Sequence, residues 1–193
     1  MANLSYIDTV KSTSTGWLII KRDWLDKIDA ITDKIVFLTL LVSFVGFLSL
    51  IYFQGEIKNS NEKAIAYVVF PIAIFFGLYS LFRKITENRL ISFTTHFAGH
   101  RNKEFLLMFL EQNGYDFIRG NKEVVIADVE ESLSFNKIWK KTITFIIADN
   151  KIYFNIVKKY PILNPPVLFT HLFLKRDLIK YFGEKGKQIT SSL

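Results

Sequence analysis

The chain has no cysteine in 193 residues, and only four prolines, nine glycines, three histidines and two methionines. Without cysteine there is no disulfide scaffold, no thiolate metal site and no cysteine nucleophile. The phosphate-cradling GxxxxGK[ST] loop, the dinucleotide GxGxxG turn and the GxSxG nucleophile elbow are all missing. His96 and His100 have the i, i+4 spacing used for metals, but no glutamate follows His96, no third ligand stands near, and Gly99 interrupts a helix between them. They read as residues that meet lipid headgroups. His171 lies in an apolar segment and reads as a hydrogen-bonded core histidine. Asp128, Glu130 and Glu131 read as a solvated acidic edge. No catalytic set, metal or cofactor is therefore expected.

A second scarcity is local. Ile35 to Phe53 and Ala64 to Phe82 are each 19 residues long and hold no Asp, Glu, Lys, Arg or His. A bilayer core of about 30 Å needs roughly 20 helical residues. The polar stripe of a soluble core helix is absent from both runs, so the sequence predicts a transmembrane hairpin over 34–83, with spans 35–53 and 64–82. The mean hydropathy of +0.22 is high for a soluble protein, yet the two runs account for it. Outside them roughly 43% of residues are apolar, an ordinary value for a soluble domain. The lack of an ionisable group inside either run argues against an ion or proton pathway. Small residues mark one side of each run: Thr39, Ser43 and Gly46, then Ala66, Ala73, Gly77 and Ser80. They allow close helix approach, within one hairpin or between several. Pro71 predicts a kink in the second span.

Basic residues set the orientation. Lys11, Lys21, Arg22, Lys27 and Lys34 precede the first run, whereas only Lys58 and Lys63 lie between the runs. Arg83, Lys84, Arg89, Arg101 and Lys103 follow the second. This asymmetry predicts that both termini are cytoplasmic, with Gln54–Lys63 as a short external loop. No signal peptide is read, because the first apolar run begins late and no small-residue cleavage site follows it. Residues 1–13 read as irregular. Within the N-terminal segment 1–33, Trp17, Ile20, Trp24, Ile28 and Ile31 recur at helical spacing and continue to Ile35, with aspartates between them, predicting an amphipathic helix that leads into the first span.

The remaining 111 residues, from Arg83, hold 18 Lys and Arg against 11 Asp and Glu, which is the whole net charge of +7. They predict a cytoplasmic α+β domain over 84–183, with helices flanking a small antiparallel sheet, and a polar tail at 184–193. Arg83–Ala98 reads as a continuation of the second span. Asn102 would cap a helix to Asn113, stopped by Gly114 and burying Phe105, Leu106, Met108 and Phe109. Tyr115–Arg119 and Glu123–Val129 read as strands around a Gly120-Asn121 turn. Tyr160–Val167, with three prolines, reads as a loop and Val167–Leu172 as a strand. Leu174–Phe182 reads as a terminal helix ended by Gly183.

Thr142 to Val157 is the clearest local signal. Two β-branched runs flank Asp149-Asn150, a two-residue hairpin turn. If Ala148 opposes Lys151, then Ile143, Phe145, Ile147, Ile152, Phe154 and Ile156 share one face. The same register sets Lys141 opposite Lys158 and Lys140 opposite Lys159, and like charges directly opposite are destabilising. A carboxylate, splayed strands or a bound anion would offset this. Lys140 and Lys159 share a face with Thr144, Tyr153 and Asn155, which suits a phosphate-bearing ligand; the bland reading is a solvated lysine-rich end. Lys175 and Arg176, placed at a helix start, oppose its dipole and again invite an anion.

The two-span hairpin, the basic α+β domain, the hairpin ThrIleThrPheIleIleAlaAspAsnLysIleTyrPheAsnIleVal (142–157), the proline loop and the Lys175-Arg176 helix together resemble a known group. In layout the chain is similar to the small membrane effectors of prokaryotic antiviral signalling, in particular the CRISPR-associated two-span family gated by cyclic tetra-adenylate. That resemblance implies a cytoplasmic sensor that binds a cyclic oligonucleotide, forms a homo-oligomer and perturbs the lipid bilayer of the bacterial inner membrane, with no role for duplex nucleic acid. The expected ligand set is Lys140, Lys141, Tyr153, Asn155, Lys158, Lys159, Lys175 and Arg176. Two other functions compete: a non-enzymatic immunity or adaptor protein gripping an acidic protein partner, and an enzyme acting on lipid headgroups through His96 and His100.

Overall fold

The computed structural model describes residues 7–21, 24–54, 60–119, 123–133, 137–159, 167 and 169–191. The elements are α1 (Thr9–Thr15), α2 (Trp24–Gln54), α3 (Ser60–Ile85), β1 (Ile91–Thr94), α4 (Gly99–Gln112), β2 (Asp116–Arg119), β3 (Val124–Leu133), β4 (Lys137–Ala148), β5 (Lys151–Lys159) and α5 (Thr170–Ser191). They form two compact units, one of Asp23–Thr86 and one of Met1–Arg22 with Glu87–Leu193.

The first unit is the α2–α3 pair. On α2 the half-buried positions Asp33, Phe37, Leu41, Val45 and Ser49 recur every fourth residue; on α3 they are Phe70, Ala73, Gly77 and Ser80. The helices approach closely at Gly77, where an added Cβ would meet Leu41 Cδ1 at 3.2 Å. The Lys84 ammonium, 2% exposed, donates to the Asp33 carboxylate at 2.6 Å. This pair joins the start of one apolar run to the end of the other. Thr39, Ser43 and Gly46 are exposed and take no part in the seam. The sequence 27–47 of α2 and 67–85 of α3 is long and apolar enough to cross a membrane. Helix α3 runs unbroken through Pro71. Of the expected external loop Gln54–Lys63, Gln54 belongs to α2 and 60–63 to α3, a correction to its bounds, and 55–59 lie outside the described residues.

The second unit is a five-stranded antiparallel sheet in the order β1-β5-β4-β3-β2. Helices α4 and α5 cover one face, with Leu106, Leu110, Leu174, Leu178 and Phe182 packed on Phe93, Val125, Ile143, Phe145, Ile152 and Phe154. The β4–β5 register is the expected one: Ala148 pairs Lys151, and the six apolar residues point into this core. Asn150 takes a left-handed conformation, φ 56°, at the turn. The Asp149 carboxylate accepts from Gly99 N at 2.6 Å, and Asn150 N donates to Phe97 O. The turn thereby caps α4 from across the chain.

The opposite face is covered by the N-terminal segment, where Leu18, Leu90 and Ile146 form a second small core with Ile7, Ile20 and Tyr153 around it. Leu18 N donates to Asn88 O at 2.7 Å and Leu90 N to Gly16 O at 2.8 Å, a collar of 16–20 against 88–90. Gly16 has φ 72° at the end of α1, where a glycine avoids the Cβ penalty.

Several expectations are corrected. Residues 9–15 are helical rather than irregular, capped by the Asp8 side chain, while Trp17 and Ile20 lie in isolated bridges and leave the helical stripe to begin at Trp24. Helix α3 stops at Ile85; the alternating segment after Leu90 pairs with β5 as a strand instead of continuing the helix. Asn102 is no cap. It is fully buried within α4 and donates to Phe97 O and Ala148 O, both at 2.9 Å. Leu106 and Phe109 are buried as expected, Leu110 joins them, Phe105 is half-buried and Met108 is exposed. Helix α5 begins at Thr170, so 170–172 is not a strand, and it continues through Gly183 and Gly186 to Ser191. Packing of Phe182 and Ile189 on the core outweighs the roughly 1 kcal/mol that each helical glycine costs. The expected tail thus belongs to the fold. The Gly120-Asn121 turn and the loop at 160–166 lie outside the described residues.

Two stability changes follow. Asn102→Ala should lower unfolding free energy by about 1–3 kcal/mol, because Phe97 O and Ala148 O each lose a hydrogen bond from its buried amide. Gly183→Ala, where nothing lies within 4 Å of the new Cβ, should raise it by about 0.5–1 kcal/mol. Thermal and denaturant unfolding of the full chain in detergent measures both.

Candidate anion site at the open end of the β4–β5 hairpin

Lys140 pairs Lys159 and Lys141 pairs Lys158, as the hairpin register predicts. Strand β4 is central, and its other neighbour supplies a partial answer to the like-charge problem. Glu130 of β3 stands opposite Lys140, whereas Val129 stands opposite Lys141. One lysine pair therefore has a carboxylate beside it in the ladder and the other has an apolar residue. Strand β1 pairs β5 only over Lys151–Phe154. Among the described residues, β5 has no strand on its outer side at Lys158 and Lys159.

Alternation divides the lysines between faces. Lys141 lies on the core face, is 6% exposed, and its ammonium reaches the Thr170 hydroxyl at 3.5 Å, where α5 begins. It serves to hold the start of α5 against the sheet. Lys140 and Lys159 occupy the opposite face, and Lys158 shares the face of Lys141. The side chains of Lys140, Lys158 and Lys159 lie outside the described part of the structure.

The face shared by Lys140 and Lys159 is not an open ligand surface farther along. Thr144 is buried. Tyr153 is half-buried against the N-terminal segment, with the Lys151 ammonium 4.9 Å from its ring centre. Asn155 is 2% exposed, and its amide nitrogen donates to Glu87 O at 2.6 Å and Arg89 O at 3.2 Å. It pins the strand to the collar. Asp128 accepts from the Thr142 hydroxyl at 2.8 Å, so the acidic residue read as a solvated edge also has a structural bond.

Lys175 and Arg176 sit in the second turn of α5, not at its start, which removes the dipole argument made for them. Lys175 lines a 370 Å³ cleft with Ser92, Thr94, Lys151 and Ile179. Arg176 points outward, its guanidinium 5.8 Å from the Phe173 ring centre and 3.5 Å from the Asp177 carboxylate. The eight expected residues are thus spread over four places: the hairpin end, the core at Thr170, the collar, and the surface of α5. His96 precedes α4 and His100 lies in its first turn, so they do not share a helix. Among the described residues no three carboxylates or histidines gather as a metal site.

No family model matches this chain, and no curated protein matches it. The geometry alone ranks the candidate residues.

The collar role of Asn155 is testable. Asn155→Leu removes the donor from two carbonyls and should cost about 1–3 kcal/mol of stability, read from unfolding of the full chain. A lysine-only site at the hairpin end predicts that anion affinity is retained in the folded fraction.

Proposed function

We propose that this chain is a membrane-anchored cytoplasmic sensor and effector that binds an anionic nucleotide second messenger. The observation that carries the reading is the β4–β5 register, which sets two lysine pairs side by side at one end of the sheet. Like charges held in adjacent ladder positions destabilise a strand end until a counter-charge arrives. Phosphates provide that charge through charge-assisted hydrogen bonds. Lys158 and Lys159, on the outer side of β5, are the first contacts, with Lys140 across from Lys159.

Helices α2 and α3 are read as the bilayer hairpin, both termini cytoplasmic. The support is physical. Leu40, Val42, Phe44 and Phe47 on α2, and Val69, Ile72, Phe75 and Phe76 on α3, are all 45% exposed or more. Apolar side chains in that number around two helices need a hydrocarbon solvent. Ligand binding would draw several copies together, with the exposed Thr39, Ser43 and Gly46 side of α2 as their close-packing surface. The layout resemblance makes a cyclic oligoadenylate the ligand class and perturbation of the inner membrane in antiviral defence the outcome.

Calorimetric titration of the full chain in non-ionic detergent with cyclic tetra-adenylate tests the sensor. Saturable micromolar binding is expected, weakened roughly tenfold or more by Lys158→Glu with Lys159→Glu. Absence of binding, or unchanged binding in the double variant, contradicts it. Alkaline carbonate washing of membranes tests the anchor: the chain should stay in the pellet, and its release contradicts the two-span reading.

A further inference from the structure

The largest cleft described in the sheet unit is remote from the hairpin lysines. It has a volume of about 810 Å³ and lies between the segment before α4 and the C-terminal half of α5. This is within the range of small-molecule sites, about 300–1,000 Å³. Its floor is apolar, formed by Phe97, Phe182 and Ile189. Its rim carries His96, Arg101 and Lys187. No carboxylate lines it among the described residues. Two fixed cations and an imidazole over an apolar floor are a lining whose charge suits an anion.

The helix that borders the cleft carries a second, independent mark. Gly183 and Gly186 lie within α5, three residues apart, and both line the cleft. Neither has a positive φ, so no backbone conformation demands glycine at either place. Glycine in a helix interior is unfavourable relative to alanine. An added Cβ at Gly183 meets nothing within 4 Å, and one at Gly186 meets only Phe97 Cζ at an ordinary 3.7 Å. Packing therefore does not require these glycines either. What they do is leave the wall of α5 without side chains beside Phe97 and Phe182. Larger residues there would fill the opening.

We propose that this cleft is an anion site separate from the hairpin end, and that it takes a phosphate carried on an apolar or aromatic body. The body lies on Phe97 and Phe182 in the space left by Gly183 and Gly186. The phosphate is held by Arg101 and Lys187, with His96 beside them. Nucleotides and lipid phosphates share this chemistry.

The test uses the full chain in a phosphate-free maltoside detergent, with calorimetric titration of three probes: AMP, dihexanoyl phosphatidate and inorganic phosphate. Binding of AMP or phosphatidate is expected, and which of the two binds more tightly identifies the source. Arg101→Glu with Lys187→Glu should weaken it roughly tenfold or more. Gly186→Leu should abolish it while leaving the melting temperature unchanged or higher, since leucine is the better helix former. A loss with retained folding is not a folding defect. Lys158→Glu with Lys159→Glu should leave this binding intact, which separates it from the hairpin site. The proposal is overturned by no binding of AMP or phosphatidate at 1 mM (roughly the weakest affinity worth calling a site). It is equally overturned by inorganic phosphate binding as tightly as either, by insensitivity to Gly186→Leu, or by loss only in the hairpin variant.

Discussion

The turn at Asp149 and Asn150 is the constraint on which the second unit depends. With Asn150 in the left-handed region, Ala148 faces Lys151. That single pairing sends Ile143, Phe145, Ile147, Ile152, Phe154 and Ile156 into the core. A slip of one residue would turn the three on one strand outward, away from the three on the other. The same turn organises its neighbours: its Asp149 carboxylate caps α4, Asn150 accepts from Thr95 N and donates to Phe97 O, and Asn102 ties α4 to Ala148. At the far end of the ladder the consequence is electrostatic, because the register that fills the core also aligns Lys140 with Lys159 and Lys141 with Lys158. Core packing and charge clustering are thus one decision made at the turn.

What was legible in the sequence follows from range. Strand alternation and a two-residue turn are local, and they suffice for the hairpin to its exact pairing. The two long uncharged runs are local as well. The collar was not legible, since Trp17 and Ile20 carry helical spacing, yet Trp17 pairs with Arg89, some 70 residues away, and Ile20 pairs back with Ile7. The start of α4 was misplaced for a related reason: its cap is Asp149, half a domain distant, which freed Asn102 for burial. Gly183 looked like a stop. Only the packing of Ile189 and Phe182 on the core explains why α5 passes through it. Of the candidate ligand residues, the hairpin lysines could be aligned from sequence. The fate of Asn155 could not, because its partners are backbone carbonyls that no side-chain pattern announces.

The two units divide the physical work. In the helical pair, the Asp33–Lys84 ion pair and the Gly77 approach hold α2 and α3 together, leaving many large apolar side chains exposed. In the sheet unit, the register aligns lysine positions at the hairpin end, and Arg101 and Lys187 line the cleft beside α5. The N-terminal collar lies against the sheet face between β5 and Leu90, tied to it through Asn155. Strand β5 is firmly held, with Ile152, Phe154 and Ile156 buried, and the proposed ligand lysines Lys158 and Lys159 follow directly in sequence.

The central claim is that an anion received by those lysines changes the membrane. Dye release from vesicles that carry the full chain, followed as cyclic tetra-adenylate is added, measures this directly. The account predicts release that rises with ligand and disappears when Lys158 and Lys159 are both replaced by glutamate. Release that ignores the ligand, or that survives the double replacement, would contradict it.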